Sequence, residues 1–477
     1  MRLSYRLCAA AAVAATGIFA VAAPGAAAAS SAAAAAHHAS ATGQQAAAVP
    51  GGTQLWAQRF GGAHLSATAT SVAASPDKAV VYVTGITTKT AIGLRNAVTV
   101  AYNAATGKQL WLSRYQGTGR HPRGSAGVPS IMVSPDGATV YVAGDLASGG
   151  HNDYLVLAYN AATGAQRWVA SPLADGSIAQ FQAVAVSPDS MTVYITGRLD
   201  FFGGHAAKSY DTIALNAATG ATKWNTNTKF PPHVFHTITS IAVSPDGSTV
   251  FIAGSSGTVA YDAATGAQLW LDAYKQAYDR SRVSLAVSPD SATVYVTSGS
   301  NAPGSVPHYW TAALDATTGA RVWQATYHGP GTNAGTTAIA LSPDGSAVYV
   351  TGSVGQASGL NEYATIGYDA ATGHQLWLAN YRTAKVDDNA TGLAVSADGS
   401  TVYVTGTSIA NYNTPADYAT VAYRASRGAQ LWSARYAVTG AQNNTAGVVA
   451  SGGNAIVTGT SGPYGSPSEF ATVAYQG

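Results

Sequence analysis

One eleven-residue word recurs along this chain and limits what it can fold into. AYNAATGKQLW at 101–111 returns as AYNAATGAQRW (158–168), ALNAATGATKW (214–224), AYDAATGAQLW (260–270), ALDATTGARVW (313–323), GYDAATGHQLW (367–377) and AYRASRGAQLW (422–432). A second word, S-P-D-G-x-x-V-Y-V-T-G, starts at Ser75, Ser134, Ser187, Ser244, Ser288, Ser342 and Ser396, and in reduced form at Ser451. Self-similarity of this kind means stacked units, none of which can bury its apolar surface alone. The first word has seven complete copies and the second has eight, and the chain ends resolve the mismatch. The body opens with GGTQLWAQRF (51–60), a QLW segment with nothing before it, and closes with ATVAYQG (471–477), which stops short of its QLW segment. The two fragments complete one unit, so residues 51–477 hold eight units of about 53 residues.

Each unit reads as four short strands. Strand A is an alternating stretch such as ITSIAVS (238–244), the Pro-Asp-Gly after it signals a tight turn, strand B is TVYVTG, strand C is of the YATVAY type (418–423), and N-A-A-T-G turns it into strand D, QLWLARY or similar. Four strands at this period predict an all-β, eight-bladed propeller. The segment 53–58 is expected as the outer strand of the last blade, pairing with 469–475 and closing the ring. A linear solenoid would require polar caps and leaves the split unit unexplained.

The Trp-bearing word, A-x-[DN]-x-x-T-G-x-x-x-W, resembles the tryptophan-docking motif of the pyrroloquinoline-quinone (PQQ) dehydrogenase-like eight-bladed propellers, and the S-P-D-G word is similar to that of YVTN-type extracellular propellers. The physical logic of the first word is visible in its residues. Gly permits a left-handed turn, Asn or Asp accepts from turn amides, and Trp offers a flat face to the neighbouring blade. Trp56, Trp111, Trp168, Trp224, Trp270, Trp323, Trp377 and Trp432 are therefore expected to form a structural girdle. For the enzymes of that family the resemblance implies a quinone held between a tryptophan and a ring of adjacent disulfide-bonded cysteines, calcium bound by Glu, Asn and Asp, and a catalytic Asp. The only cysteine here is Cys8, and the only glutamates are Glu362 and Glu469, both in a repeat context. No catalytic residue of the enzymes maps onto this chain by motif. The scaffold transfers and the chemistry does not, so no cofactor is expected, with PQQ and calcium as the alternative.

The first 29 residues combine a basic start, an apolar stretch and a small-residue end, the pattern of a cleaved signal peptide. Residues 30–50 are Ala-rich without periodicity and read as a flexible linker. Cys8 precedes the apolar stretch, where a lipid-attachment cysteine would follow it, and no later segment reaches the ~18 apolar residues of a span. A secreted or cell-envelope protein is expected, with no membrane span after cleavage and no thiol in the exported body. Lys+Arg 24 against Asp+Glu 22 becomes 22 against 22 without Arg2 and Arg6, which argues against a nucleic-acid partner. Arg outnumbers Lys and Ala is abundant, as in GC-rich bacterial genomes.

In a four-stranded blade the A–B and C–D turns emerge on one face and the B–C and D–A loops on the other. The turns are nearly identical among units, whereas the loops vary from SSGT (255–258) to RLDFFGGHAAKSYD (198–211), which makes the loop face the candidate binding surface. His64, His121, His151, His205, His233, His236, His308 and His328 fall in its loops and His374 in a C–D turn. His233 and His236 share an irregular Pro-containing loop with no carboxylate neighbour, so no metal site is expected. Asp153, Asp211, Glu362, Asp417 and Glu469 sit at or beside the entrance to strand C. They are expected either to cap their own loops or to form an acidic collar for a cation, an amine or a basic peptide. His308, Tyr309 and Trp310 supply the best aromatic anchor, since Trp310 is the one Trp outside the repeat words. Among loop aromatics, Phe201, Phe202, Phe230, Phe235, Tyr412 and Tyr464 are further candidates for stacking on a sugar or clamping a peptide. The expected function is a noncatalytic binding module for a protein or carbohydrate at the cell surface. The alternative is an extracellular quinone-dependent dehydrogenase or carbohydrate-active enzyme.

Overall fold

A computed structural model describes residues 49–477 apart from 62–64, 90–94, 117–124, 149–150, 173–177, 201–208, 230–237, 275–281, 301–305, 332, 357–358, 384–386, 410–414 and 464–466. The described residues form eight antiparallel four-stranded blades. Blade 1 spans 65–115, blade 2 125–170, blade 3 178–229, blade 4 238–273, blade 5 283–328, blade 6 334–381 and blade 7 387–436; blade 8 joins 441–476 to 54–61. A single parallel bridge, Ile178 to Asn152, ties blades 2 and 3 together. No described helix is long and apolar enough to cross a membrane.

The ring closes as the split unit predicts. Strand Gln54–Gly61 runs antiparallel to strand Glu469–Gln476, with Trp56 opposite Ala474 and Gly61 opposite Glu469. Outside the strands, the Gly52 amide donates to the Gln476 carbonyl at 2.8 Å.

The alternation of strand A fades in strands B and C because both faces of a blade are covered by its neighbours. Strand Thr401–Ile409 is buried along all but its last residue, and Asn361–Asp369 along all but its two ends. Only strand D, at the rim, alternates between exposed and covered. The apolar clusters accordingly lie between blades. One joins Trp56, Val449, Ile456, Phe470 and Ala474 of blade 8 to Ala67, Val72, Val81, Val100 and Tyr102 of blade 1. Burying strands B and C also buries the Thr of V-T-G and the Thr of A-T-V. In six blades these hydroxyls satisfy each other across the strands, as in Thr84–Thr99 at 3.3 Å and Thr351–Thr365 at 2.9 Å.

The two repeated words act as locks. Seven of the eight girdle indoles donate Nε1–H to the carbonyl of the Ala that follows the Asn, Asp or Arg of the next blade's C–D turn. They run from Trp56 to Ala104 at 3.0 Å through Trp377 to Ala425 at 2.8 Å. The turn's Gly lies flat on that indole. At Gly107, with φ of 69°, a Cβ would stand 2.6 Å from Trp56, so glycine serves both the turn and the close approach. Trp432 is the exception. Blade 8 has no N-A-A-T-G turn, Gly51 and Gly52 lie on the ring instead, and Nε1 has no partner among the described residues.

Candidate functional site

The A–B turns make one face uniform. In each of seven blades the Ser hydroxyl donates to the Asp carboxylate two residues on at 2.5 Å, and accepts the amide five residues on at 2.9 to 3.0 Å. Hydrogen bonds from Ser and from the chain amides hold the Asp77, Asp290, Asp344 and Asp398 carboxyls below the usual carboxylate range. The fourth turn residue adopts φ near 60 to 76° throughout, four times as Gly and otherwise as Lys78, Ser190 and Ser291. Ser190 and Ser291 turn that strain to use, accepting the Asp136 and Asp246 amides of the preceding blades at 3.1 and 3.0 Å.

The opposite face is heterogeneous in length. The B–C connection is two residues in blades 2 and 4, eight in blade 3 (201–208) and seven in blade 5 (301–307). In blade 2 strands B and C extend to Ser148 and from His151, so Gly149-Gly150 is all that joins them and Asp153 lies inside strand C. His64, His121, His205, His233, His236, Phe201, Phe202, Phe230, Phe235, Tyr412 and Tyr464 lie outside the described residues.

Strand register divides the five acidic candidates. Asp153, Glu362, Asp417 and Glu469 each stand seven residues before the first residue of their C–D turn or its counterpart in blade 8; Asp211 stands five before and is fully buried. Glu362, Asp417 and Glu469 are engaged by strand D of their own blades. Arg59 meets Glu469 at 2.6 Å, Arg435 meets Asp417 at 3.3 Å, and the Asn380 amide donates to Glu362 at 2.9 Å. Burial pushes the Glu362 and Asp417 carboxyls up, opposed by Arg382 and Arg435 respectively. Asp211 faces the Tyr154 hydroxyl across the boundary between blades 2 and 3, where burial, with Asp211 and Asp145 adding to it, drives the phenol well above its ordinary value. Sequence reading passed over Asp145. It occupies the ordinary position after the strand B Gly, accepts the Phe181 amide of blade 3 at 2.6 Å, and is pushed up to about 6 by burial.

His308, Tyr309 and Trp310 belong to strand C of blade 5, His308–Asp315, and not to a loop. Because neighbours in a strand face opposite ways, the three do not form one surface. Tyr309 is fully buried in the cluster shared with blade 6. Trp310 faces blade 4, edge-on to Tyr274 at 5.4 Å, with Arg321 over its ring at 5.4 Å and Asp272 holding Arg321 at 3.3 Å. His308 pairs in register with His328.

Among the described residues the donor set of the quinoproteins is not brought together. Seven girdle indoles are committed to carbonyls between blades, Glu362 and Glu469 are tied to different blades, and no cluster of three His, Cys, Asp or Glu suited to a metal occurs among the described residues. No step through a quinone follows from these residues.

Residues 45–309 and 308–466 match the family model described as outer membrane protein assembly factor BamB. The chain belongs to that family. No curated protein matches it. Among solved structures, it resembles the quinohemoprotein alcohol dehydrogenase of Comamonas testosteroni, at 15% identity and TM-score 0.51 over 88% of this chain and 76% of that one. Sqt1 of Chaetomium thermophilum, bound to the N-terminus of the ribosomal protein L10, is similar at 11% identity and TM-score 0.55, over 88% and 98%. BamB of Moraxella catarrhalis aligns at 15% identity and TM-score 0.48, over 89% and 99%. At these identities the likeness is one of fold. The family match, with the fold shared with the Comamonas testosteroni dehydrogenase, establishes a PQQ-like propeller.

Proposed function

We propose that this BamB-family chain is an exported, noncatalytic interaction module of the cell envelope that takes its protein or carbohydrate ligand on the face carrying the B–C and D–A loops. The observation that supports this reading is the contrast between faces. Seven A–B turns repeat one hydrogen-bond scheme residue for residue, whereas the B–C connections run from two to eight residues on the other side. Repetition builds a frame; divergence among otherwise identical units is where a ligand is told apart. A propeller of this kind needs no chemistry to bind, and Sqt1 is known with a ribosomal-protein terminus bound. The basic, apolar and small-residue order of 1–29 supports export.

The test shortens the connections 201–208 and 410–415 to two residues, as in blade 4, and compares binding on glycan and peptide arrays with that of Asp344→Asn and Asp398→Asn on the turn face. Loss of binding confined to the loop variants is expected. Binding that follows the turn-face variants overturns the assignment of the face. Dye reduction with alcohols or sugars after addition of PQQ and calcium overturns the noncatalytic reading.

A further inference from the structure

The position seven residues before the C–D turn, which carries a carboxylate in blades 2, 6, 7 and 8, carries His308 in blade 5. Directly opposite on strand D stands a second imidazole, His328, in the register His308↔His328. The ring centres are 5.2 Å apart with planes inclined at 50°. His308 is half-buried and His328 exposed. His308 Nδ1 lies 2.9 Å from the Val306 carbonyl, which can only accept, so Nδ1 carries the proton and the Nε2 lone pair is left free. No other ring-nitrogen partner of either imidazole is found among the described residues.

We propose that His308 and His328 chelate a divalent metal of borderline softness, zinc foremost, on the flank of blade 5. Two imidazole nitrogens each ~2.0 to 2.1 Å from one ion place each ring centre about 3.2 Å from it, and a tetrahedral angle between them then separates the centres by about 5.2 Å. The observed centroid separation of 5.2 Å matches that value. Donation of the second ring N–H to a backbone carbonyl is how a metal-bound imidazole is oriented and its tautomer fixed, and Val306 already does this for His308. No third His, Cys, Asp or Glu stands close enough among the described residues, so the remaining positions of the ion are open to water or to a side chain of a bound partner. An open site of this sort holds its ion weakly and exchangeably.

The test is the shift in melting temperature of the full chain on adding zinc, for the parent, His308→Gln and His328→Gln. A metal that binds only the folded state raises the melting temperature, whereas one that binds the unfolded chain equally leaves it unchanged. Both variants are expected to melt like the parent without metal, to lose the zinc-dependent rise, and to lose one equivalent of zinc in calorimetric titration. His374→Gln, in a C–D turn, should retain both responses. If either single variant keeps the parent's zinc response, or if zinc does not raise the parent's melting temperature, the chelate does not form.

Discussion

Trp56→Ala tests the architecture at its seam. The side chain is 8% exposed, lies under Gly107 of blade 1, and donates Nε1–H to Ala104 at 3.0 Å, so it is the point at which blade 8 grips blade 1. Removing a buried indole costs about 3 to 5 kcal/mol, including the cavity it leaves. About 1 kcal/mol of that belongs to the hydrogen bond. Because the strand it anchors, Gln54–Gly61, is joined to the ring on one side alone, the loss should appear first as local opening. Trp432→Ala is the internal comparison. That ring is only half-buried and its Nε1 has no partner among the described residues, so its truncation should cost about 2 to 3 kcal/mol. Hydrogen exchange read by mass spectrometry on 469–476 should accelerate by about a hundredfold in Trp56→Ala, the equivalent of roughly 3 kcal/mol. Proteolysis near residues 51–61 should rise in parallel. Unchanged exchange on 469–476, or equal effects of Trp56→Ala and Trp432→Ala, would refute the idea that this strand holds the ring shut.

Further expectations follow from departures from the repeat. In blades 1, 2, 3 and 5 the strand B Tyr donates to the same interblade carbonyl as the girdle Trp, at 3.1 to 3.2 Å, while blade 4 has Phe251 in that place against Trp270. Phe251→Tyr should therefore stabilise by up to about 1 kcal/mol in denaturant titration, and a destabilised variant would show the site has no room for the hydroxyl. Lys78→Gly relieves a left-handed residue at little other loss and should be neutral to stabilising by about 1 kcal/mol. Ser190→Gly relieves the same strain but forfeits the bond to the Asp136 amide, so it should rank below Lys78→Gly in the same titration. Burial raises the folded-state pKa of Asp145 from 3.8 to about 6, so its contribution to stability is greatest when protonated and is lost as pH rises between those values, on the order of 3 kcal/mol. Asp145→Asn keeps an acceptor for Phe181 and should flatten the pH dependence of stability between about 4 and 6. An unchanged slope in that window would assign it instead to Glu362 and Asp417, which shift the same way.

The architecture was legible because each blade restates it. The seven-against-eight mismatch between words placed Gln54–Gly61 in blade 8, and the repeated Trp marked a face for the neighbouring blade, though neither the glycine lying on that indole nor the Nε1–H bond to Ala. The functional candidates were less legible for a specific reason. They fall where repetition fails, so the sequence offers no second copy from which to infer a role. Trp310 read as a loop residue because nothing marked how far strand C continues beyond the repeat word, and Asp211 read as equivalent to Glu362 because a slip of two residues leaves a strand's inward and outward pattern intact.

Periodicity by itself determined the number of blades, the strand order within each and the way the ends meet, since those depend on local turn chemistry and on which residues seek burial. Only the assembled ring decided which side chains share a surface. The carboxylates of strand C meet Arg59, Asn380 and Arg435 across hydrogen-bonded strands, Asp145 reaches the next blade, and two histidines twenty residues apart come to face one another. Such pairings are set by register and interblade packing, which no short word of sequence encodes.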